Sequence, residues 1–271
     1  MKIKKAKHAG FCFGVKRAVE SALKTKGEVK TLGPLIHNPQ FIAGLEKKGI
    51  RAVDSVDEAD KGILLIRAHG VPDSVIGKAE KKGLDVIDLT CPFVKKVQDY
   101  AKELYKQGYN VVVVGEKNHP EVIGITGNIK GIVVGDINDA KKLGHFEKLG
   151  VVAQTTQSNE NFNSTVEELR KHADELKVHN TICSETDSRQ RHAVELAREV
   201  DLMIVVGGYN SGNTRRLAGI CSGIVETRHI EQASELKKEW FAGKKQVGLT
   251  AGASTPDLSM NKVIERIKNE F

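Results

Sequence analysis

The segment GFCFGVKRA at residues 10–18 has two counterparts further along the chain, LTCPFVKKV at 89–97 and ICSETDSRQRHAV at 182–194. Each segment places a cysteine in front of a helical pattern, and the cysteines divide the chain into near-equal thirds. Self-similarity at a fixed period indicates repeated supersecondary units. We therefore predict three equivalent units around a pseudo-threefold axis that brings three cysteines to the centre. These are Cys12, Cys91 and Cys183.

Two apolar strands recur in each third of the chain, and each ends in a loop of polar or small residues. The loops after the first strands belong to LGPLIHNPQ (32–40), VVVVGEKNHPE (111–121) and IVVGGYNSGNTRR (204–216). Those after the second strands belong to ILLIRAHGVPD (63–73), GVVAQTTQS (150–158) and VGLTAGASTPD (247–257). Ligands of parallel α/β sheets bind at the carboxyl ends of the strands. We therefore expect these loops to carry the functional groups.

Amphipathic stretches separate the strands, which indicates βαβ units and parallel sheets. The stretches predicted as helical include VKRAVESALKTK (15–26), VKKVQDYAKELYKQG (94–108), NSTVEELRKHADELK (163–177) and PDLSMNKVIERIKNE (256–270). The predicted fold class is α/β, with three small parallel-sheet domains around a pseudo-threefold centre. The predicted units are 13–92, 93–180 and 181–271, and a strand within 1–12 joins the third.

Composition is that of a soluble globular protein, with 39% hydrophobic and 28% charged residues among 271. The longest apolar runs are too short to cross a bilayer, and the segment MKIKKAKHAG (1–10) lacks the apolar core of a secretory signal. We therefore expect a cytoplasmic protein with no membrane partner. Four scattered cysteines do not suit a disulfide scaffold, and in a reducing compartment they favour metal binding, catalysis or simple burial.

The chain is basic, with a formal net charge of +7, which favours an anionic partner. The basic residues alternate with acids along segments predicted as helical, such as KHADELK (171–177) and ELKKE (235–239). No basic tail or aromatic-interleaved patch is present, so we expect no nucleic-acid partner. An anionic small substrate and an acidic electron donor of the ferredoxin or flavodoxin kind both fit the charge.

The cysteines separate into two kinds. An isolated cysteine is most often a small buried hydrophobe, and we assign that role to Cys221, which lies outside the repeat. Cys12, Cys91 and Cys183 recur with the repeat and are candidate metal ligands. Structural zinc sites usually show paired cysteines and four ligands, whereas widely spaced single thiolates suit an iron–sulfur cluster better. Three thiolates on a four-iron cluster leave one iron open as a Lewis acid.

Polar side chains at the strand ends predict an anion site. His37, His69 and His119 lie in such loops of the first two units, and Asn213 and Ser254 occupy the corresponding places in the third. Imidazoles, hydroxyls and amides bind phosphate or diphosphate through charge-assisted hydrogen bonds. The glycine-rich turn GGYNSGNTRRL (207–217) leads into a predicted helix, whose free N–H groups favour the same ligand.

Glu121 follows His119 and Pro120 at a predicted helix start. An acid there is commonly a surface residue that interacts with the helix dipole. In a pocket that delivers electrons to a carbon skeleton, the same carboxylate would instead serve as the general acid. The sequence leaves both roles open.

These motifs together resemble the 4-hydroxy-3-methylbut-2-enyl diphosphate reductase (LytB) family over essentially the whole chain. The resemblance is carried, in order, by GFCFGVKRA, the HN of LIHN, AHG, LTCP, HPE, QTT, the Cys183 segment, NSGNTRRL and TAGAS. It implies a three-domain trefoil and one [4Fe–4S] cluster per chain on Cys12, Cys91 and Cys183. The implied reaction is reductive dehydroxylation of (E)-4-hydroxy-3-methylbut-2-enyl diphosphate to isopentenyl and dimethylallyl diphosphate, the last step of the methylerythritol phosphate route to isoprenoids.

The resemblance also implies roles for the strand-end residues. The expected diphosphate ligands are His37, His69, Ser211, Asn213 and Ser254, with His119 lining the same pocket. Thr155 and Glu121 would flank the reacting hydroxyl, with Glu121 supplying protons. Gly212 stands where some family members carry a serine, so only its backbone N–H is available to the substrate.

Three other classes of function compete. A quinolinate-synthase-like [4Fe–4S] dehydratase is similar in its three-domain architecture and three-cysteine cluster, but the HPE, QTT and TAGAS motifs argue against it. A metal-bearing nucleic-acid-binding module is suggested only by the basic charge. A Cys-His hydrolase needs one privileged cysteine, whereas this chain has three equivalent ones.

Overall fold

The computed structural model describes residues 1–36 and 38–270. In chain order the strands are β1 (Lys2–Lys5), β2 (Val29–Leu32), β3 (Ile50–Val53), β4 (Ile63–Ile66), β5 (Asp85–Asp88), β6 (Asn110–Val114), β7 (Ile132–Val134), β8 (Phe146–Ala153), β9 (Ala173–Val178), β10 (Leu202–Val206), β11 (Thr227–Ile230) and β12 (Gln246–Ala251). The helices are α1 (Phe13–Lys24), α2 (Pro39–Glu46), α3 (Asp73–Lys81), α4 (Pro92–Lys106), α5 (Pro120–Thr126), α6 (Ile137–Ala140), α7 (Asn159–Leu169), α8 (Ser184–Ala197), α9 (Gly212–Ser222) and α10 (Asp257–Glu270).

The strands form three four-stranded sheets with the same internal order. The first sheet runs β3-β2-β4-β5, the second β7-β6-β8-β9, and the third β11-β10-β12-β1. Every neighbouring pair is parallel. The N-terminal strand thus takes the place in the third sheet that β5 and β9 take in the other two. The predicted α/β class with three small parallel sheets is confirmed.

The second sheet shows why these segments form buried parallel strands. Successive side chains of a strand point to opposite faces. Val112 and Val114 pack with Phe162 of α7 on one face, whereas Val111 and Val113 pack with α4 on the other. A strand covered on both faces reads as a continuous apolar run, and VVVV at 111–114 is such a run.

One helix prediction extended too far. Helix α7 ends at Leu169, a 3-10 turn follows at Arg170–His172, and residues 173–178 form strand β9, which pairs with β8 from Phe146↔Ala173 onward. β9 lies at an edge of its sheet and carries exposed charges, as edge strands commonly do. The charged residues of 173–178, whose spacing resembles that of a helical face, therefore lie on an edge strand. The segment ELKKE is likewise no α-helix, since it spans two short 3-10 turns.

By compactness the described chain separates into two units. The first comprises residues 1–16, 36, 38–44 and 184–270 and contains the third sheet, and the second comprises 17–35 and 45–183 and contains the other two. The domain boundaries given above for the three repeats remain a prediction. Within the part of the chain described, no helix has both the length and the hydropathy needed to span a bilayer.

Candidate active site

Each of the three repeat cysteines lies directly before a helix, and each is held by the same backbone hydrogen bond. The N–H of Cys12 donates to the carbonyl of Ala253 (3.1 Å), that of Cys91 to Ala68 (3.0 Å), and that of Cys183 to Thr155 (2.9 Å). Each acceptor lies two residues beyond the third strand, in spatial order, of its sheet. The three cysteine turns are therefore structurally equivalent, as the sequence repeat predicted.

The environments of the thiols separate these cysteines from the fourth. Cys12, Cys91 and Cys183 are partly exposed, and each lies directly before the start of a helix. Cys221 is fully buried within α9, and burial raises the pKa of its thiol to about 12. The structure therefore agrees with Cys221 being a packing residue, and it leaves three thiols suited to binding metal.

The donor set consists of three single thiols, each in its own turn before a helix. Such thiolates are the usual ligands of iron–sulfur clusters. Within residues 1–36 and 38–270, no three His, Cys, Asp or Glu side chains are grouped so that they could hold a metal ion.

Glu121 is a buried carboxylate, and Thr155 forms hydrogen bonds with both of its oxygens. Its side chain is 2% exposed in the first turn of α5. The backbone N–H of Thr155 donates to Oε1 (2.6 Å), and the Thr155 hydroxyl donates to Oε2 (2.8 Å). Burying a carboxylate is costly unless hydrogen bonds compensate. Such burial is not what a surface acid interacting only with a helix dipole would show.

Thr155 connects this carboxylate to a cysteine turn. Its N–H and hydroxyl both donate to Glu121, while its carbonyl accepts the N–H of Cys183. All the backbone and side-chain polar groups of Thr155 are thereby used. The structure thus brings a candidate general acid, its predicted threonine neighbour and one candidate cluster ligand into one hydrogen-bonded chain.

Two of the predicted histidines also lie together. The rings of His69 and His119 are 5.5 Å apart between centroids and meet edge to face. His119 is the N-cap of α5, and its Nδ1 accepts the N–H of Glu121 at 3.2 Å. His37 lies outside the described residues.

The third sheet carries the remaining predicted anion ligands. Ser211 is the N-cap of α9, and its Oγ accepts the N–H of Thr214 at 3.3 Å, which leaves the hydroxyl proton available to a ligand. Gly212 is the buried first residue of that helix. Asn213 is 8% exposed, and its buried Nδ2 has no hydrogen-bond partner among the described residues. Ser254 is buried in the turn after β12.

An unsatisfied buried amide donor in this loop is informative. Buried polar groups are nearly always hydrogen-bonded, and exceptions call for an explanation such as an absent ligand. The Nδ2 of Asn213 is a donor at the start of a helix, where an anion is favoured. The loop therefore has the chemistry expected of a phosphate site.

Two supporting residues were not assigned from the sequence. Gln154 is buried, and its amide accepts the N–H of Glu116 (2.9 Å) and donates to Thr156 (2.8 Å), which fixes the loop before His119. The Nη2 of Arg17 donates to the carbonyl of Leu89 (3.0 Å) and to that of Thr90 (2.6 Å), directly before Cys91. Both lie inside the quoted motifs, but no local pattern indicates which backbone groups they reach.

Fold and site together define an α/β protein with three parallel sheets. The turn that follows one strand of each sheet is bonded to a cysteine, and a buried glutamate is connected to the turn of Cys183. The model of the LytB protein family matches residues 3–268, and the chain belongs to that family.

Relatives match over nearly their whole length. A protein of Pelobacter propionicus named 4-hydroxy-3-methylbut-2-enyl diphosphate reductase is 50% identical, with 98% of each chain covered. A protein of the same name from Aquifex aeolicus is 49% identical, covering 97% of this chain and 94% of its own.

Solved structures agree with this family. One, titled as (E)-4-hydroxy-3-methyl-but-2-enyl diphosphate reductase, the terminal enzyme of the non-mevalonate pathway, is 48% identical, with a TM-score of 0.72 and 99% of each chain covered. Another, titled as the E-1-hydroxy-2-methyl-but-2-enyl-4-diphosphate reductase from Plasmodium falciparum, is 30% identical. Its TM-score is 0.93, and the match covers 99% of this chain and 88% of that one.

Proposed function

We propose that this chain reduces (E)-4-hydroxy-3-methylbut-2-enyl diphosphate to isopentenyl and dimethylallyl diphosphate, the last step of the methylerythritol phosphate route. The reductase names of its full-length relatives support this activity. The observation that carries it at the site is Thr155, which joins the buried Glu121 carboxylate to the Cys183 turn. That arrangement supports the proposal that Glu121 supplies protons near Cys183.

One [4Fe–4S] cluster per chain is proposed on Cys12, Cys91 and Cys183. When bound, it would supply electrons and a Lewis-acidic iron. The protein contributes three partly exposed thiols, each directly before a helix. The hydrogen bonds from the cysteine N–H groups to Ala253, Ala68 and Thr155 hold the turns in place.

The diphosphate is proposed to bind at the strand-end donors. Ser211, Asn213 and the N–H of Gly212 lie at the start of α9, and Ser254 lies in the turn after β12. His69 offers an imidazole nitrogen in the turn after β4, and His119 offers one at the start of α5. His37 is proposed to join them. Hydrogen bonds to an ionised phosphate are roughly twice as strong as neutral ones, which suits a small anionic substrate.

Glu121 is proposed to move the protons. The reaction consumes two electrons and two protons, breaks one carbon–oxygen bond and releases water. One proton goes to the departing hydroxyl and the other to carbon. The Thr155 hydroxyl donates to Glu121 and orients the carboxyl. Burial excludes bulk water as a competing proton source.

An anaerobic assay with the hydroxymethylbutenyl diphosphate and a low-potential reductant tests the function directly. We expect substrate consumption with both isomeric products, in protein whose iron and sulfide content matches one four-iron cluster. Protein with a full cluster that leaves the substrate unchanged would contradict the proposed activity.

Asn213→Ala should raise the KM for the diphosphate substrate about 10-fold or more with little change in kcat. A hydrogen bond to a charged group contributes about 1.5–3 kcal/mol, and Asn213 offers a buried donor with no protein partner among the described residues. Asn163→Ala, at an exposed position on α7, is the matched control. Equal KM values in the two variants would remove Asn213 from the site.

The physiological electron donor is proposed to be an acidic ferredoxin or flavodoxin, because the chain carries a net charge of +7. The donor-supported rate should then fall as salt rises, since exposed charges are screened over about 8 Å at physiological ionic strength. The rate with a small chemical reductant serves as the control and should change much less. A donor-supported rate that is independent of salt would argue against electrostatic steering.

A further inference from the structure

The loop between β10 and α9 determines where Ser211 and Asn213 lie, and it starts at a position that only glycine suits. Gly207 has φ +148°, and a Cβ there would lie 2.7 Å from the Thr255 hydroxyl oxygen and 2.8 Å from that of Thr214. Such a backbone conformation is rarely adopted by other residues. The loop therefore leaves the sheet along a defined path that its later residues must maintain.

Tyr209, in the middle of this loop, forms hydrogen bonds through its N–H, its carbonyl and its hydroxyl. Its N–H donates to Oε1 of Glu231 at 2.6 Å, and its carbonyl accepts from Nη1 of Arg215 at 3.0 Å. Its hydroxyl donates to Oε2 of Glu235 and lies 3.3 Å from the His229 carbonyl oxygen. A loop residue with every polar group engaged has little freedom to move.

The acceptor of the Tyr209 hydroxyl is itself fixed. Oε1 of Glu235 accepts the N–H of Glu231 (3.0 Å) and that of Gln232 (2.8 Å), which caps a 3-10 turn. The carboxylate thus stays in place without help from Tyr209. The hydroxyl of Tyr209 ties the loop to a rigid part of the third sheet.

His229 supports the same loop from the side. Its ring lies 4.7 Å from that of Tyr209 between centroids, and its Nε2 is hydrogen-bonded to the Gly207 carbonyl at 2.8 Å. Partial burial, and then the hydrogen bond to Glu235, raises the pKa of Tyr209 to about 12. The hydroxyl therefore remains a donor at neutral pH.

We propose that Tyr209 is a positioning residue whose bonds to Glu231 and Glu235 place the Ser211 and Asn213 donors for the diphosphate. The inference rests on the proposed function of the loop. Tyr209 acts through the backbone, because its side chain is directed to the acids on the β11 side.

Tyr209→Phe tests this role by removing only the hydroxyl, and Tyr105→Phe, at an exposed position on α4, is the matched control. Without substrate, amide hydrogen exchange across residues 207–214 should become several-fold faster in Tyr209→Phe and stay unchanged in the control. The KM for the substrate and the dissociation constant of inorganic diphosphate should rise together, about 3- to 10-fold, with kcat within twofold. A purely structural role would not weaken the affinity for substrate and diphosphate while kcat stays unchanged.

A second variant separates the hydrogen bond from general damage. Glu235→Gln keeps an amide oxygen that can accept the Glu231 and Gln232 N–H groups and an amide nitrogen that can donate to the tyrosine oxygen, so it should lie close to wild type. Glu235→Ala also removes the cap of the 3-10 turn, so it should speed exchange at least as much as Tyr209→Phe. Unchanged exchange, or faster exchange with unchanged diphosphate affinity, would overturn the positioning role.

Diphosphate binding and substrate reduction, measured separately, distinguish a failure of the Tyr209 proposal from a failure of the proposed reductase function. A wild-type chain that binds inorganic diphosphate but does not reduce the substrate would overturn the reductase function, while the diphosphate affinities would still decide the role of Tyr209. A wild-type chain that does not bind inorganic diphosphate would overturn both.

Discussion

Replacing Cys12, Cys91 or Cys183 by serine should in each case abolish the visible absorbance of the cluster and reduce activity below detection. A serine hydroxyl stays protonated near neutral pH and is a much poorer ligand for cluster iron than a thiolate. Each of the three cysteine turns has an equivalent backbone hydrogen bond and lies directly before a helix. We therefore expect the three variants to lose cluster and activity to the same extent. Iron and sulfide content after anaerobic reconstitution is the direct measurement.

Cys221→Ser is the control within the same chain. Its thiol is buried and its pKa is raised to about 12, so the variant should retain cluster and activity. It should melt at a lower temperature, because burying a hydroxyl without a new partner costs about 1–3 kcal/mol. A normal cluster in any of the three other variants would remove that cysteine from the ligand set.

Glu121→Gln should lower turnover by about 10²-fold or more while the cluster content and the affinity for substrate stay nearly normal. An amide cannot donate an acidic proton, and loss of a general acid typically costs that much. The amide oxygen can still accept the Thr155 N–H, and the Thr155 hydroxyl can rotate to accept from the amide nitrogen. The geometry is therefore preserved while the proton is removed. Single-turnover rates with reduced enzyme are the measurement.

Glu160→Gln provides the matched comparison, since Glu160 is an exposed acid in the first turn of α7. This variant loses only the helix-dipole contribution, so its turnover should equal that of wild type and its melting temperature should change little. If Glu121→Gln behaved in the same way, Glu121 would be a helix-start acid and the proton source would lie elsewhere.

Much of the architecture was accessible from the sequence because its signals are local or periodic. The VVVV run at 111–114 reads as a buried strand, and each of the three repeat cysteines precedes a stretch with helical periodicity. The repeat then predicted three sheets, a conclusion that no single motif would support. The prediction became wrong at 173–178, where charges at helical spacing belong to an edge strand.

The contacts that organise the site were less accessible. The HPE and QTT motifs identify Glu121 and Thr155 separately, but their two hydrogen bonds join residues 34 positions apart. Tyr209 looks like an ordinary turn residue until Glu231 and Glu235 are seen to hold it. Such bonds depend on where the loops of one sheet come together.

The sequence by itself determined the α/β class, the three-fold repetition, the place of the three repeat cysteines before helices and the polar character of the strand ends. These follow from side-chain periodicity and chain order, which act over a few residues at a time. Only the tertiary structure decided that residues 173–178 pair with β8 and that Thr155 joins Glu121 to the Cys183 turn. The physical reason is that strand pairing, burial and buried hydrogen bonds depend on partners distant in sequence, so their free energy is not encoded in any local pattern.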